Sequence, residues 1–374
     1  MTVSKKLPLL YTHPIGSLPR PLVVRDLLRQ RDERPNDLSV HAALDDFVRF
    51  AIRLQETAGM DVVSDGEWRR TQYIQEFLMR VGGFEACRVI EHQGEVKMSS
   101  VVVRRMPTKA PVFADDAQFL VANTERFTKF ALPSPFLIAV RYWHEDYSRE
   151  AYPTAQHFMD HLTEILAVEA RVLAEIGIDV IQLDDPALTY YCDPNLMAGK
   201  SIHDQRLLRL WDANREVPAA VEAINRIADG LQAEVHVHSC HSVYKRQADV
   251  VGDYKPLLPR LDNLRVDRVN LEFAYPQTGD VSDLDLLPNQ LQVGLGIVDV
   301  RTEQLQSVEQ IAGIARAGIQ RLGVHRIALN PDCGFAPDAG EPPTIDEAYQ
   351  KLCRLTEAAR QLRAEHSAKS STPL

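Results

Sequence analysis

Short apolar runs alternate with stretches of helical period along nearly the whole chain, and this alternation restricts the fold more than any single residue does. Leu44, Phe47, Val48, Ala51 and Ile52 recur at i, i+3, i+4, i+7 and i+8, the spacing of one buried helix face. They lead through Gly59 into the run Asp61-Val62-Val63-Ser64-Asp65-Gly66-Glu67. The pattern returns with Leu162, Ile165, Leu166, Val172 and Leu173, a stop at Gly177, and the strand Asp179-Val180-Ile181-Gln182-Leu183. Eight candidate strands follow, near 12–17, 61–66, 136–140, 179–184, 234–239, 268–273, 292–298 and 326–331. Helical segments between them imply parallel strands joined by crossovers. Eight such units point to an α/β fold, a single (β/α)8 TIM barrel over residues 1–374. An open doubly wound sheet is the competing arrangement.

One gap breaks the pattern. Residues 82–133 carry alternating, β-rich stretches such as Glu95-Val96-Lys97-Met98 and Val101-Val102-Val103-Arg104. They read as an insertion after the second strand, a hairpin leaning over one barrel mouth. The tail 365–374 (EHSAKSSTPL) reads as disordered.

Composition narrows the partners. Against 52 acidic side chains stand 42 basic ones, a net charge of −10, with no basic block to grip nucleic acid or an anionic membrane. The first six residues lack the apolar core of a signal peptide, and no apolar run approaches a membrane span. The five cysteines are odd in number and scattered, which fits ligands or packing in a reducing cytoplasm better than a disulfide framework.

Polar residues gather at the C-terminal ends of the candidate strands, the ends that carry active sites in such barrels. Ser17 closes the first, Glu67 the second, Asp184 and Asp185 the fourth, His238 and Cys240 the fifth. Glu272 closes the sixth, Asp299 the seventh and Asn330-Pro331-Asp332-Cys333 the eighth. Along His236-Val237-His238-Ser239-Cys240 the period of two puts both histidines and the cysteine on one face. Neighbouring His and Cys side chains suit zinc, though each is also a common core residue. Glu272 and Cys333 tip the balance toward a metal site. Glu67 and Asp184 have a plainer reading as structural ion-pair partners of Arg69 or Arg70. His241 and His325 read as bystanders, and Cys87, Cys192 and Cys353 as packing.

These residues resemble a known set. His238-Ser239-Cys240, Leu271-Glu272 and Asn330-Pro331-Asp332-Cys333-Gly334 resemble the zinc motifs of the catalytic barrel of cobalamin-independent methionine synthase. Ile15-Gly16-Ser17-Leu18-Pro19-Arg20, Asp65-Gly66-Glu67 and Gln182–Leu188 (QLDDPAL) support it, all in the family's order. The resemblance implies zinc on His238, Cys240, Glu272 and Cys333, and the amino-acid part of homocysteine on Ile15, Ser17, Glu67 and Asp184. It implies a methyl donor as second substrate, a folate or another carrier. The departures lie on the donor side. Arg301, two residues after Asp299, falls where the family has its catalytic histidine. Arg141 falls at a folate-stacking tryptophan and Tyr190 at a folate-contacting glutamate. The expected activity is zinc-dependent methyl transfer to homocysteine, with Asp299 and Arg301 beside the reaction. The alternative is thiol alkylation of the epoxyalkane:coenzyme M type, with Arg301 holding a sulfonate or alkoxide.

Overall fold

The computed structural model describes residues 6–92, 94–107, 111–200, 205–207, 209, 211–336 and 343–370. Its strands, in chain order, are β1 (Val62–Val63), β2 (Phe84–His92), β3 (Glu95–Val102), β4 (Phe127–Pro133), β5 (Val180–Asp184), β6 (Glu234–His238), β7 (Val243–Tyr244), β8 (Gln247–Ala248), β9 (Arg268–Glu272), β10 (Gln292–Val298) and β11 (Ile327–Pro331). Seven form one parallel sheet in the order β1-β4-β5-β6-β9-β10-β11. The segment Tyr11–His13 joins its two edges. Leu329 N donates to Tyr11 O (2.9 Å), His13 N to Leu329 O (3.1 Å) and Val62 N to Thr12 O (3.0 Å). Eight chain segments therefore follow one another round a TIM-barrel-like α/β fold.

The long helices obey their sequence signals. Leu38–Thr57 is capped by Asp37, whose side chain accepts from Ser39 N, and it buries Leu44, Val48, Ala51 and Ile52. Ala155–Ile176 is capped by Thr154 and stops at Gly177, whose φ of 108° suits a residue without Cβ. Among the described residues no helix is long and apolar enough to cross a membrane.

Three expectations need correction. The third barrel strand is not 136–140 but β4, and Pro135–Tyr142 is a helix with Pro135 in its first turn. Its cap Ser134 accepts from Leu137 N at 3.0 Å. A short helix buried all round reads like a buried strand, while Thr128 and Lys129 disguised the true one. The insertion is accordingly narrower than 82–133. The antiparallel hairpin β2–β3 covers 84–102, and the helix Ala114–Ala122 then leads into β4. Finally, the helix Ile345–Ser370 runs through most of the tail expected to be disordered, and 371–374 lie outside the described residues. No Gly or Pro interrupts it there, and Glu365 is held by Arg316 at 2.7 Å.

The hairpin reaches across the barrel's C-terminal mouth. Its His92 ring packs edge-on against Tyr244 at 4.9 Å, and Glu95 pairs with Lys245 at 3.2 Å. It thus meets the small β7–β8 ribbon that follows Cys240.

Below the mouth, the barrel interior is polar. Lys129 is fully buried and donates to Pro14 O at 2.8 Å, with His13 Nδ1 2.9 Å away. This contact supports the backbone entering Ile15. Burial pushes the Lys129 ammonium down to about 7, although Asp184 and Glu234 oppose the shift. Between about 7 and the ordinary 10.5 the unfolded chain holds this proton and the folded chain does not. Stability therefore climbs as pH rises through that window, by at most about 1.4 kcal/mol per unit from this group. Urea unfolding of wild type and Lys129→Met from pH 7 to 10 should show wild type gaining a few kcal/mol on the variant. A difference that stays constant with pH would contradict a neutral buried amine.

Candidate active site

The parallel register sets the site. β5 and β6 pair so that Asp184 lies opposite His238, and Asp184 Oδ1 is 3.1 Å from His238 Nδ1. Gln182 Nε2 fixes the same carboxylate at 2.6 Å while also donating to Ile15 O at 2.8 Å. With Nδ1 held, the buried His238 Nε2 has no nitrogen or oxygen partner among the described residues. Cys240, two residues on, lies 3.6 Å from Cys333 between sulfurs. One ligand atom from each of His238, Cys240 and Cys333 falls within 4.8 Å of the others. Two sulfurs on a tetrahedral metal at about 2.3 Å bonds stand about 3.8 Å apart, so the group has the spacing of a metal centre. A carboxylate on the far nitrogen of a ligating histidine is the usual orienting partner.

The protons in this group match that reading. The Cys240 hydrogen bond and, against burial, the His238 ring hold the Cys333 thiol down to about 6. Cys240 is pushed well up by Cys333 and by burial. Burial opposes ionisation of His238, but Asp184 and Cys333 outweigh it and raise the ring to about 10. The three side chains share protons that a soft divalent cation would displace. The donor set fits such an ion.

A cavity of about 190 Å³ opens beside this group and is lined by Ile15, Ser17, Arg20, Glu67 and Asp184 as well as by all three candidate ligands. Its walls are close-fitting. A Cβ on Gly16 would stand 2.5 Å from Glu67 Oε1, and one on Gly334 would stand 2.2 Å from Ser17 Oγ. Glu67 itself sits at φ 57°, a region a non-glycine residue occupies at a cost. Asp65 Oδ1 holds its N–H at 2.9 Å, and Arg20 donates to its carbonyl at 3.0 and 3.2 Å. Burial lifts the Glu67 carboxyl to about 7, with Arg70 and Arg20 opposing and Asp184 and Asp65 adding. The structure thus gathers Ile15, Ser17, Glu67, Asp184, His238, Cys240 and Cys333 at one place.

Glu272, the fourth expected ligand, lies next to this group and outside the three whose ligand atoms fall within 4.8 Å of one another. Its carboxylate is turned to Arg301 Nη2 (2.8 Å, to Oε1) and His241 Nδ1 (3.2 Å, to Oε2). The guanidinium and the imidazole hold Glu272 down to about 2 in spite of its burial. Arg301, pushed above its ordinary value by Glu272, Asp332 and Cys333, serves Glu272 and Ser242 O (2.9 Å) and is not a wall of the cavity. Asp299 caps the same loop, accepting from Arg301 N at 2.7 Å, and also stays off the cavity. The two positions expected at the donor have become partners, since Arg141 donates to Tyr190 Oη at 2.7 and 2.9 Å. Sequence reading missed His241 and Arg20. Arg20 stood within a recognised motif, and His241 adjoins a candidate ligand, but neither position betrays its partner.

Residues 10–361 match the family described as cobalamin-independent synthase, catalytic domain. The methionine synthase of Pyrococcus horikoshii is 30% identical over 366 residues, covering 96% of this chain and 95% of that protein. The methionine synthase of Sulfolobus acidocaldarius is 27% identical over 377 residues, 99% and 97% of the two chains. Among solved structures, a B12-independent methionine synthase from a Shewanella species in complex with selenomethionine aligns at a TM-score of 0.77. It is 24% identical and covers 96% of this chain and all (100%) of that one. A methyltransferase from Methanosarcina mazei aligns at 0.60 with 13% identity, each chain covered to 96%. The barrel, the strand-end residues and a family match across almost the whole chain agree, and the protein belongs to the cobalamin-independent methionine synthase family.

Proposed function

We infer that this methyltransferase holds its acceptor, homocysteine, in the cavity beside His238, Cys240 and Cys333, with a zinc ion on those three side chains. The observation that carries this reading is the convergence of one imidazole nitrogen and two sulfurs on the edge of a cavity of amino-acid size. Bound zinc supplies a Lewis acid that keeps the acceptor sulfur a thiolate near neutral pH, the form that attacks a methyl carbon.

The chain's own residues do the rest. Glu67 and Asp184 face the substrate ammonium, and Ser17 and Arg20 offer donors to its carboxylate. Asp184 also fixes the His238 ring through Nδ1. Ile15 and the backbone of Gly16 and Gly334 close the walls and leave the bound amino acid little freedom. Residues 1–374 act as one catalytic unit, and the methyl donor is a folate or another carrier. The coenzyme M alternative loses its support. Arg301 is committed to Glu272, while two carboxylates stand ready for an ammonium group that coenzyme M lacks.

Metal analysis of the purified protein should find about one zinc per chain, and Cys240→Ser and Cys333→Ser should each lose most of it. Full occupancy in both variants would remove the assignment. The ammonium subsite has its own test. An ammonium ligand requires Glu67 ionised, so below about pH 7 binding must first expel the carboxyl proton. Calorimetry with methionine, whose own groups do not titrate in that range, should show affinity falling up to about tenfold per pH unit below 7 and levelling above it. Glu67→Gln should bind at least about tenfold more weakly at pH 8 and lose the slope. A pH-independent affinity in wild type would show that Glu67 does not meet the amino group.

A further inference from the structure

We propose that a water molecule seated on Gly294 bridges Asn270 and Asn330 in the barrel core, and that Asn270, held there, positions Asp184 and the Ile15 carbonyl through Gln182. The positioning rests on the reading of the cavity given above; the water does not.

The Gln182 amide is oriented by what it touches. Its Nε2 meets Asp184 Oδ1 at 2.6 Å and Ile15 O at 2.8 Å, and a main-chain carbonyl only accepts. Oε1 therefore points the other way and needs a donor, which Asn270 Nδ2 supplies at 2.9 Å. A second contact agrees. Asn270 Nδ2 lies 3.3 Å from His236 Nδ1, which accepts when Nε2 carries its proton toward the Glu234 carboxylate at 3.1 Å. The network thus assigns which way each amide faces. Gln182, Asn270 and His236 are all fully buried.

Asn270 Oδ1 is left without a partner among the described residues. Asn330 ends in the same way. Its Nδ2 donates to Pro331 O at 2.8 Å, and its buried Oδ1 has no partner among the described residues either. The two oxygens converge on Gly294, whose strand β10 runs between β9 and β11. A Cβ on Gly294 would stand 2.1 Å from Asn270 Oδ1 and 2.5 Å from Asn330 Oδ1. Two acceptors that face one point repel unless a donor lies between them, and burying both unpaired is costly. Two oxygens are too few for a metal cation, which takes about six. Water brings two protons to two acceptors and needs only a small polar space, which any side chain at position 294 would fill.

This chain of contacts ends at the cavity. Asp184 and Ile15 are among its walls, and one Gln182 nitrogen holds both. Turning that amide over would set its oxygen against two acceptors and release the two walls together. Asn270 opposes the turn without lining the cavity, so it is a positioning residue that acts through Gln182.

Crystals of wild type and Gly294→Ala test the water. Wild type should show it at about 2.8 Å from both Oδ1 atoms, and Gly294→Ala should lack it. Empty wild-type density at that point overturns the bridge. Calorimetry with methionine tests the positioning. Asn270→Leu should bind about tenfold more weakly than wild type, Gln182→Met at least as weakly, and the double variant no more weakly than Gln182→Met alone. Additive losses, or an Asn270→Leu affinity within about twofold of wild type, would reduce Asn270 to a packing role and overturn the claim. Should Asn270→Leu fail to fold, Gly294→Ala takes its place in the same cycle with the same expectation, since it keeps every hydrogen-bonding side chain. If wild type binds no methionine, the cavity reading itself fails. The Gly294→Ala crystals then decide the positioning: Gln182 swung off Asp184 and Ile15 O supports it, and Gln182 unmoved overturns it.

Discussion

The parallel pairing of β5 with β6 sets Asp184 opposite His238, and the account of the site depends on that one register. The 3.1 Å contact between them joins two functions. One carboxylate orients the imidazole of the candidate metal group and also lines the cavity proposed to receive the amino acid. A shift of one residue would turn both side chains to the other face of the sheet. The same ring of strands brings Glu272 opposite Gly296, and Gly296 opposite Asn330, just before Cys333. Gly296 is small for a reason, because a Cβ there would stand 2.8 Å from Asp332 Oδ1 and 2.6 Å from Leu271 O.

So many buried charges are costly, and the fold offsets them in pairs. Arg70 lies under the pocket, donating to Ala131 O at 2.8 Å with its guanidinium 4.3 Å over Phe130. Arg268 binds Tyr11 Oη at 3.0 Å and Gln292 at 2.6 Å near the other end of the barrel. Arg301 and Glu272 form the corresponding pair beside the candidate metal group. Burial and neighbouring charge thereby push two carboxylates apart. Glu67, on the cavity wall, sits at about 7, while Glu272 sits at about 2. The first is able to exchange a proton for a cationic ligand, and the second is fixed as an anion.

Much of this is legible in the sequence for a physical reason. A polar residue at the end of an apolar strand needs a task, which is what singles out Glu67, Asp184, His238 and Cys333. The period of two places His238 and Cys240 together, and the structure puts them in one group. Hidden are the features that depend on direction. Pro135–Tyr142 is apolar all round and carries no period to separate helix from strand. Glu272 occupies a ligand position by resemblance, yet its orientation is set by Arg301 and His241, which lie 29 and 31 residues away along the chain. The positive φ of Glu67 likewise leaves no trace in composition.

The central claim is a metal on His238, Cys240 and Cys333 that takes the acceptor sulfur as its next ligand. Zinc-edge X-ray absorption of the purified protein, before and after homocysteine, tests it most directly. The account predicts two sulfurs at about 2.3 Å with nitrogen and one light atom at rest, and three sulfurs with one nitrogen once homocysteine is bound. A sulfur count that stays at two after saturation, or a resting shell without sulfur, would contradict it.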